Sequence, residues 1–166
     1  KHKLREREKE LACIYKVHAC LQDQESSVAD LFRRLVNIIP EGWQFPGIGV
    51  ARIEYKDIVA VSPGFFKTNW YQKAGIIVEG KREGHIAVYY KEKIREKNLF
   101  LPEEQELLHI IAQQISQFIA NRRLRERILE FQDQDSHQSS LDPSLSHLSG
   151  EHWKWRYQMA QHIADQ

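Results

Sequence analysis

The chain has 166 residues, 42% hydrophobic and 28% charged, with a formal net charge of +1. That length accommodates one domain with a real core plus some extra chain, and the near-neutral balance excludes a general electrostatic pull toward nucleic acid or anionic membrane. The apolar runs fall far short of the roughly 20 residues a membrane helix needs, and two cysteines, Cys13 and Cys20, are too few for a disulfide framework and fit a reducing cytoplasm.

In chain order, the opening KHKLREREKE is densely charged and lacks the apolar segment of a signal peptide. The absence of an initiator Met and a helical pattern at the last residues lead us to expect a piece of something larger. Leu4 to Gln24 reads as a first helix with Leu11, Ile14, Val17 and Leu21 on its apolar side. Its alternating charges, Arg5 to Glu10, suit a solvated surface. Ser26 or Ser27 caps a second helix, Val28 to Ile39, with Asp30 in its first turn and Leu31, Leu35, Ile38 and Ile39 facing inward. Pro40-Glu41-Gly42 ends it.

From Trp43 the apolar period becomes two. Ile48, Val50 and Arg52 alternate with Ala51, Ile53 and Tyr55 in a first strand, and Ile58 to Val61 forms a second. Phe65 to Tyr71 is read as a short strand followed by a loop. Gly75 to Gly80 and His85 to Tyr90 make a hairpin around a turn at Lys81 to Gly84. Lys91 to Asn98 is a charged connection.

Leu101 to Phe131 then reads as one long helix. Pro102 suits its first turn, and Glu103, Glu104 and Glu106 sit where the macrodipole favours negative charge. Leu108, Ile111, Ile115 and Phe118 mark one apolar stripe; Leu107, Ile110, Leu124, Ile128 and Phe131 mark another. Its length of about 46 Å exceeds the roughly 36 Å diameter of a compact body of this size, so the helix is expected to outrun its domain. We expect a change of role near Asn121, from core packing to a dimer or output seam at Leu124, Ile128 and Phe131.

Gln132 to Gly150, rich in Ser, Gln, Asp and His, reads as a linker. Glu151 to Gln166 resumes helical character with Trp153, Trp155, Tyr157, Met159 and Ile163, as the start of a following element or a segment folding back. The domain plan is therefore 1–131, 132–150 and 151–166. Two helices, an antiparallel sheet of four to six strands and a long closing helix define an α+β layer arrangement. Helices cover one sheet face, and loops close the other over a cavity for something small.

On that far face Arg52 is the polar residue of most interest, since its guanidinium fork fits a carboxylate or phosphate; the competing role is an ion pair with Glu54 or Glu79. Thr68, Asn69, Trp70 and Gln72 combine an aromatic platform with hydrogen-bonding groups suited to a pocket rim, or form an ordinary loop. His85 and Tyr89 share one hairpin face, toward a ligand or toward solvent. Cys13 and Cys20 lie on one face of the first helix, as a redox pair across a dimer seam or as small buried hydrophobes. The histidines show no metal-ligand spacing, so neither metal nor cofactor is expected. The run Arg122 to Arg127, interleaved with Glu126, reads as a solvated helix face rather than a nucleic-acid contact.

Leu101-Pro102-Glu103-Glu104, followed by Leu107-Leu108 and Ile111-Ala112-Gln113-Gln114-Ile115, resembles the segment that opens the carboxyl-terminal helix in the GAF-domain family. Gly42-Trp43-Gln44-Phe45-Pro46, Ala51-Arg52-Ile53, Thr68-x-Trp70, Ile76-x-Val78-x-Gly80 and Gly84-x-Ile86-x-Val88-Tyr89-Tyr90 are similar to a compact subgroup. Members of it stand at the front of sensor histidine kinases and of phosphoenolpyruvate-synthase-like proteins; Gly150 to Tyr157 is similar to the join after GAF in the latter. The resemblance spans Leu4 to Phe131. It implies a small-molecule pocket on the sheet face away from the terminal helices and a homodimer through those helices. Three departures narrow it. The segment between the second and third strands is short for a helical lid, the cyclic-nucleotide Asn-Lys-Phe-Asp-Glu set is missing, and no cysteine lies in the sheet for a bilin or for sulfoxide reduction. The expectation is a non-catalytic, cytoplasmic sensory module that relays ligand binding through its long helix. The alternative is a ligand-free dimerisation module whose pocket is filled by Ile48, Val50, Trp70, Ile86 and Val88.

Overall fold

The computed structural model describes residues 1–95 and 98–141. The expected element at 151–166 and the end of the expected linker lie outside the described residues. Three helices, α1 (His2–Leu21), α2 (Val28–Ile38) and α3 (Pro102–Leu141), accompany four strands: β1 (Gly49–Tyr55), β2 (Ile58–Val61), β3 (Tyr71–Val78) and β4 (Lys81–Tyr90). All pairings are antiparallel, in the order β2-β1-β4-β3. The α+β class is as expected, with the sheet at the lower bound of the expected strand number.

The chain forms two compact units, Lys1–Asn121 and a second beginning at Arg122. In the first, α2 starts where Ser27 accepts a hydrogen bond from the Asp30 N–H at 3.1 Å, an N-cap that satisfies an otherwise orphaned donor. Its buried face is Leu31, Phe32, Leu35 and Val36. Pro40 removes a backbone donor, and Ile39–Gly42 tightens into a single 3₁₀ turn. On α1 the buried residues are Glu10, Cys13, Val17 and Leu21. Leu11, expected on the inner side, is exposed, because the stripe that reaches the core runs through Cys13 instead.

One core holds the unit together. It joins Cys13 and Val17 of α1, Phe32 and Leu35 of α2, Leu107, Leu108, Ile111 and Ile115 of α3, and the inward side chains Ala51, Ile53, Ile76, Ile86, Val88 and Tyr90 of the sheet. Alternation along each strand puts those residues on the helix side and leaves the intervening ones for the opposite, far face. Trp43 is fully buried where the 3₁₀ turn meets the sheet, and its Nε1 donates to Gln72 Oε1 at 2.9 Å.

The β3–β4 hairpin differs from the expected one. Its turn is Glu79-Gly80, both with positive φ (52° and 78°), the two-residue form whose twist matches the strands. Gly80 serves the turn. Gly84, expected in the turn as well, lies within β4 opposite Tyr55, where a Cβ would meet Glu54 O at 2.1 Å. Glu83 is the extra residue of a bulge between Ile76 and Ile77. Phe65 to Trp70 contains no strand: it is the loop that leads into β3, which begins at Tyr71.

On the outer edge of β3, α3 takes up the Ile77 N–H. Ser116 Oγ accepts from the Ile77 N–H at 3.1 Å while donating to Ala112 O at 2.8 Å. The start of α3 is pinned by Glu104, which is 1% exposed. Its carboxylate accepts from the backbone N–H of Leu101 (2.8 Å) and of Gln44 (2.7 Å), and from Tyr90 OH at 3.4 Å. Leu101 and Glu104 thus form the reciprocal half of a capping box.

In the second unit, α3 continues to Leu141 and takes in the first part of the expected linker. Gln132 to Leu141 has no Gly or Pro to stop a helix, and its polar composition is compatible with a solvated one. Leu124, Ile128, Leu129 and Phe131 are exposed, Phe131 by 70%.

Candidate functional site

The far face of the first unit carries a three-by-three grid of side chains from β1, β4 and β3. Register pairs Val50 with Tyr89, Arg52 with Ala87 and Glu54 with His85 across β1 and β4. Across β4 and β3 it pairs Tyr89 with Tyr71, Ala87 with Lys73 and His85 with Gly75. Except at Gly75, bulky or charged residues therefore surround the small Ala87 at the centre. The result is an open cavity of about 390 Å³ lined by Arg52, Glu54, Lys67, Thr68, Asn69, Tyr71, Lys73, His85 and Tyr89.

One end of the cavity is aromatic. Tyr71 and Tyr89 stack with centroids 5.2 Å apart, and Phe65 meets Tyr89 edge-on at 5.2 Å. Val50, Ala87 and Tyr89 with Phe65 form a small second apolar cluster beneath this end. The other end is ionic. Arg52 donates to Glu54 Oε2 from Nη2 at 2.8 Å and from Nε at 3.3 Å, and the Arg52 guanidinium lies 6.0 Å from the Phe65 ring centre. His85 Nε2 stands 3.5 Å from the same Glu54 oxygen.

The cations control the electrostatics. Hydrogen bonding from Arg52 holds the Glu54 carboxyl below its usual range, although partial desolvation works against this. Burial lowers the pKa of His85, and Lys73, Arg52 and Arg82 add to the effect against the pull of Glu54, so the imidazole is neutral near pH 7. Burial raises the Tyr89 phenol. The lining thus sets three fixed cations, Arg52, Lys67 and Lys73, against the single carboxylate of Glu54.

Of the residues singled out from sequence, Arg52, Thr68, Asn69, His85 and Tyr89 converge here. Arg52 makes the ion pair with Glu54 that stood as its competing role. Thr68 uses its hydroxyl on the backbone, donating to Tyr90 O at 2.9 Å and accepting from the Trp70 N–H at 3.3 Å, so it anchors the loop. Trp70 and Gln72 are not part of this surface. Trp70 packs against the helix-side core, and Gln72 is buried on that side as the acceptor for Trp43. Ile86 and Val88, proposed as pocket filling, also belong to that core. Glu54 was weighed only as an ion-pair partner for Arg52, and Lys67, Tyr71 and Lys73 were missed. Starting β3 at Tyr71 would have found two of them, since Tyr71 and Lys73 then share a face and Gln72 takes the other.

Cys13 is buried, donates to Ile39 O at 3.6 Å, and has its thiol pushed up to about 12 by burial. Such a thiol is almost never a thiolate. Burial also raises Cys20, which is partly exposed. No helix among the described residues is long and apolar enough to cross a membrane.

Compared with protein-family models and with curated proteins, the sequence matches none.

Proposed function

We propose that the chain is a GAF-like sensory module of a cytoplasmic signal-transduction protein, with a sensor histidine kinase or a phosphoenolpyruvate-synthase-like protein as its parent. It is not itself catalytic. A small molecule binds on the far sheet face, and α3 carries the response toward an effector. The observation that carries this reading is the far-face cavity, where side chains of three strands and the Phe65–Trp70 loop leave open a cationic basin with one aromatic end. The succession of elements and the common core of α1, α2, α3 and the sheet support the family resemblance.

Relay requires the ligand to distinguish two packings of the helices; a ligand binding both equally shifts nothing. The basin floor and α3 are linked through β4: its far-face residues alternate with Ile86, Val88 and Tyr90, which share a core with Leu108 and Ile111. Past Asn121, Leu124, Ile128, Leu129 and Phe131 of α3 are exposed and available to a second copy.

Two measurements test the proposal. Thermal-shift screening of metabolites should find a stabilising ligand, since saturation at a hundredfold the dissociation constant adds about 2.7 kcal/mol. Cysteine crosslinking through Ile128→Cys should then differ with and without that ligand. Unchanged crosslinking under demonstrated binding overturns the relay.

A second reading has one observation in its favour. The Arg52–Glu54 ion pair already satisfies the most specific ligand-binding group. On that reading the face is self-satisfied and the chain is a structural dimerisation module. A screen in which no small molecule perturbs far-face residues decides for it.

A further inference from the structure

The Arg52–Glu54 pair does not neutralise the basin. Lys67 and Lys73 also line it, and among the described residues neither makes an ion pair. With His85 neutral, two positive charges are left over at the mouth. Their placement is specific. Arg52 and Lys73 stand on strands β1 and β3, in register on either side of Ala87. Two strand spacings set their backbones about 10 Å apart, with the covered Ala87 between them and the cavity bounded by both side chains. Side chains of that length are long enough to reach one small ligand from opposite sides, and both line the same cavity.

Resting on the sensory-module reading above, we infer that the far-face basin selects a compact dianion, a short dicarboxylate or a phosphate, held between Arg52 and Lys73. Glu54 is the resident counter-anion. It occupies the guanidinium fork when the basin is empty, and the incoming oxyanion takes over its two N–H donors, leaving Glu54 beside His85. Charge-assisted bonds from a fork are both strong and geometrically selective, so the exchange favours an oxyanion over a neutral amide of equal size. Asn69, exposed at the rim, adds an amide for whatever lies beyond the two anionic ends.

The proposal separates Glu54 from the other lining residues by sign. Removing a cation weakens a dianion. Removing Glu54 strengthens it, because the competitor for the fork is gone. A purely structural role for the pair predicts the reverse, since Glu54→Gln would loosen Arg52 and spoil the basin.

The test uses the full chain, isotopically labelled, titrated with succinate, with inorganic phosphate and with neutral succinamide while backbone amide shifts are followed by NMR. Succinate or phosphate should shift Arg52, Lys73, Ala87 and His85, and succinamide should not; which of the two binds tighter tells a dicarboxylate source from a phosphate one. Lys73→Gln, at an exposed position, should weaken binding about tenfold or more, and Glu54→Gln should tighten it by a similar factor. Raising salt should weaken it as well. Succinamide binding as tightly as succinate overturns the inference, and so does weaker binding in Glu54→Gln with an unchanged melting temperature. If neutral fragments shift the far-face amides while both dianions leave them untouched, the inference fails and the sensory reading stands. If no compound of any charge shifts them, both fail.

Discussion

Glu104 shows how much a single side chain integrates. Its carboxylate closes the start of α3, fixes the backbone after Trp43 and meets the Tyr90 hydroxyl, all from a buried position. Burial raises its pKa, while the two backbone donors and Tyr90 pull the other way and nearby Glu6 adds to the rise. A carboxyl whose folded-state pKa is raised stabilises the fold fully below the ordinary carboxylate range, and that contribution is lost as pH rises through the raised value. The stability advantage of the parent over Glu104→Gln should therefore be largest at acid pH and shrink toward neutrality, as read by urea unfolding at a series of pH values. An advantage that grows with pH would mean that the backbone donors outweigh burial. Asp23 has the opposite sign: bonds from Ser26, the Ser26 N–H and Arg34 hold its carboxyl well below the usual range, so its contribution is lost on acidification. Gly84 gives a third residue-scale prediction. A methyl group there meets Glu54 O at 2.1 Å, backbone that has no rotamer with which to escape. Gly84→Ala should cost about 3 kcal/mol in chemical denaturation, near the top of the common range for single substitutions.

At the scale of elements, the hairpin is where sequence patterns were easiest to see and easiest to misplace. Two glycines flank Lys81-Arg82-Glu83, and turn chemistry alone cannot tell which one turns the chain. Gly80 does, with Glu79 forced into the left-handed region beside it. An asparagine tolerates that region better than a glutamate, so Glu79→Asn should stabilise the chain by about 1 kcal/mol in thermal or urea unfolding. Arg52, His85 and Tyr89 could be read as one face because alternation is regular along β1 and along β4 after the bulge at Glu83. The partners that complete the basin could not, because the aromatic and polar stretch from Phe65 to Gln72 has no period of its own. Which of its side chains face the basin depends on where β3 begins, and that is set by pairing with β4 across the sheet. The first two helices were legible in extent, while α3 runs past its expected end at Phe131 to Leu141; orientation was less legible. On α1 the free thiol of Cys13 faces the core and Leu11 does not, a rotation that depends on packing against Gly42, whose missing side chain admits both Cys13 and Leu107.

For the whole molecule, the contrast along α3 carries the main expectation. Leu107, Leu108, Ile111, Ile115 and Ile119 are buried and Ile110 is exposed, whereas past Asn121 Leu124, Ile128, Leu129 and Phe131 all lie exposed. Exposed apolar side chains repeating at helical spacing are costly unless another surface covers them. Under the proposed function that surface is the same stretch of a second copy. Ile128→Asp should then convert a dimer to a monomer in sedimentation while leaving the melting temperature of the first unit unchanged. A parent chain that is already monomeric at high concentration removes the seam from the account. The sheet itself has two ends, and they are treated differently. At β3 the outward N–H of Ile77 is already taken by a helix hydroxyl. β2, at the opposite end, is four residues long and exposes Val59 and Val61. A partly folded chain that has not yet docked α3 would present both ends as templates for strand addition. Docking of α3 thus covers part of one end and shortness limits growth at the other, so conditions that loosen α3 should first be visible as aggregation.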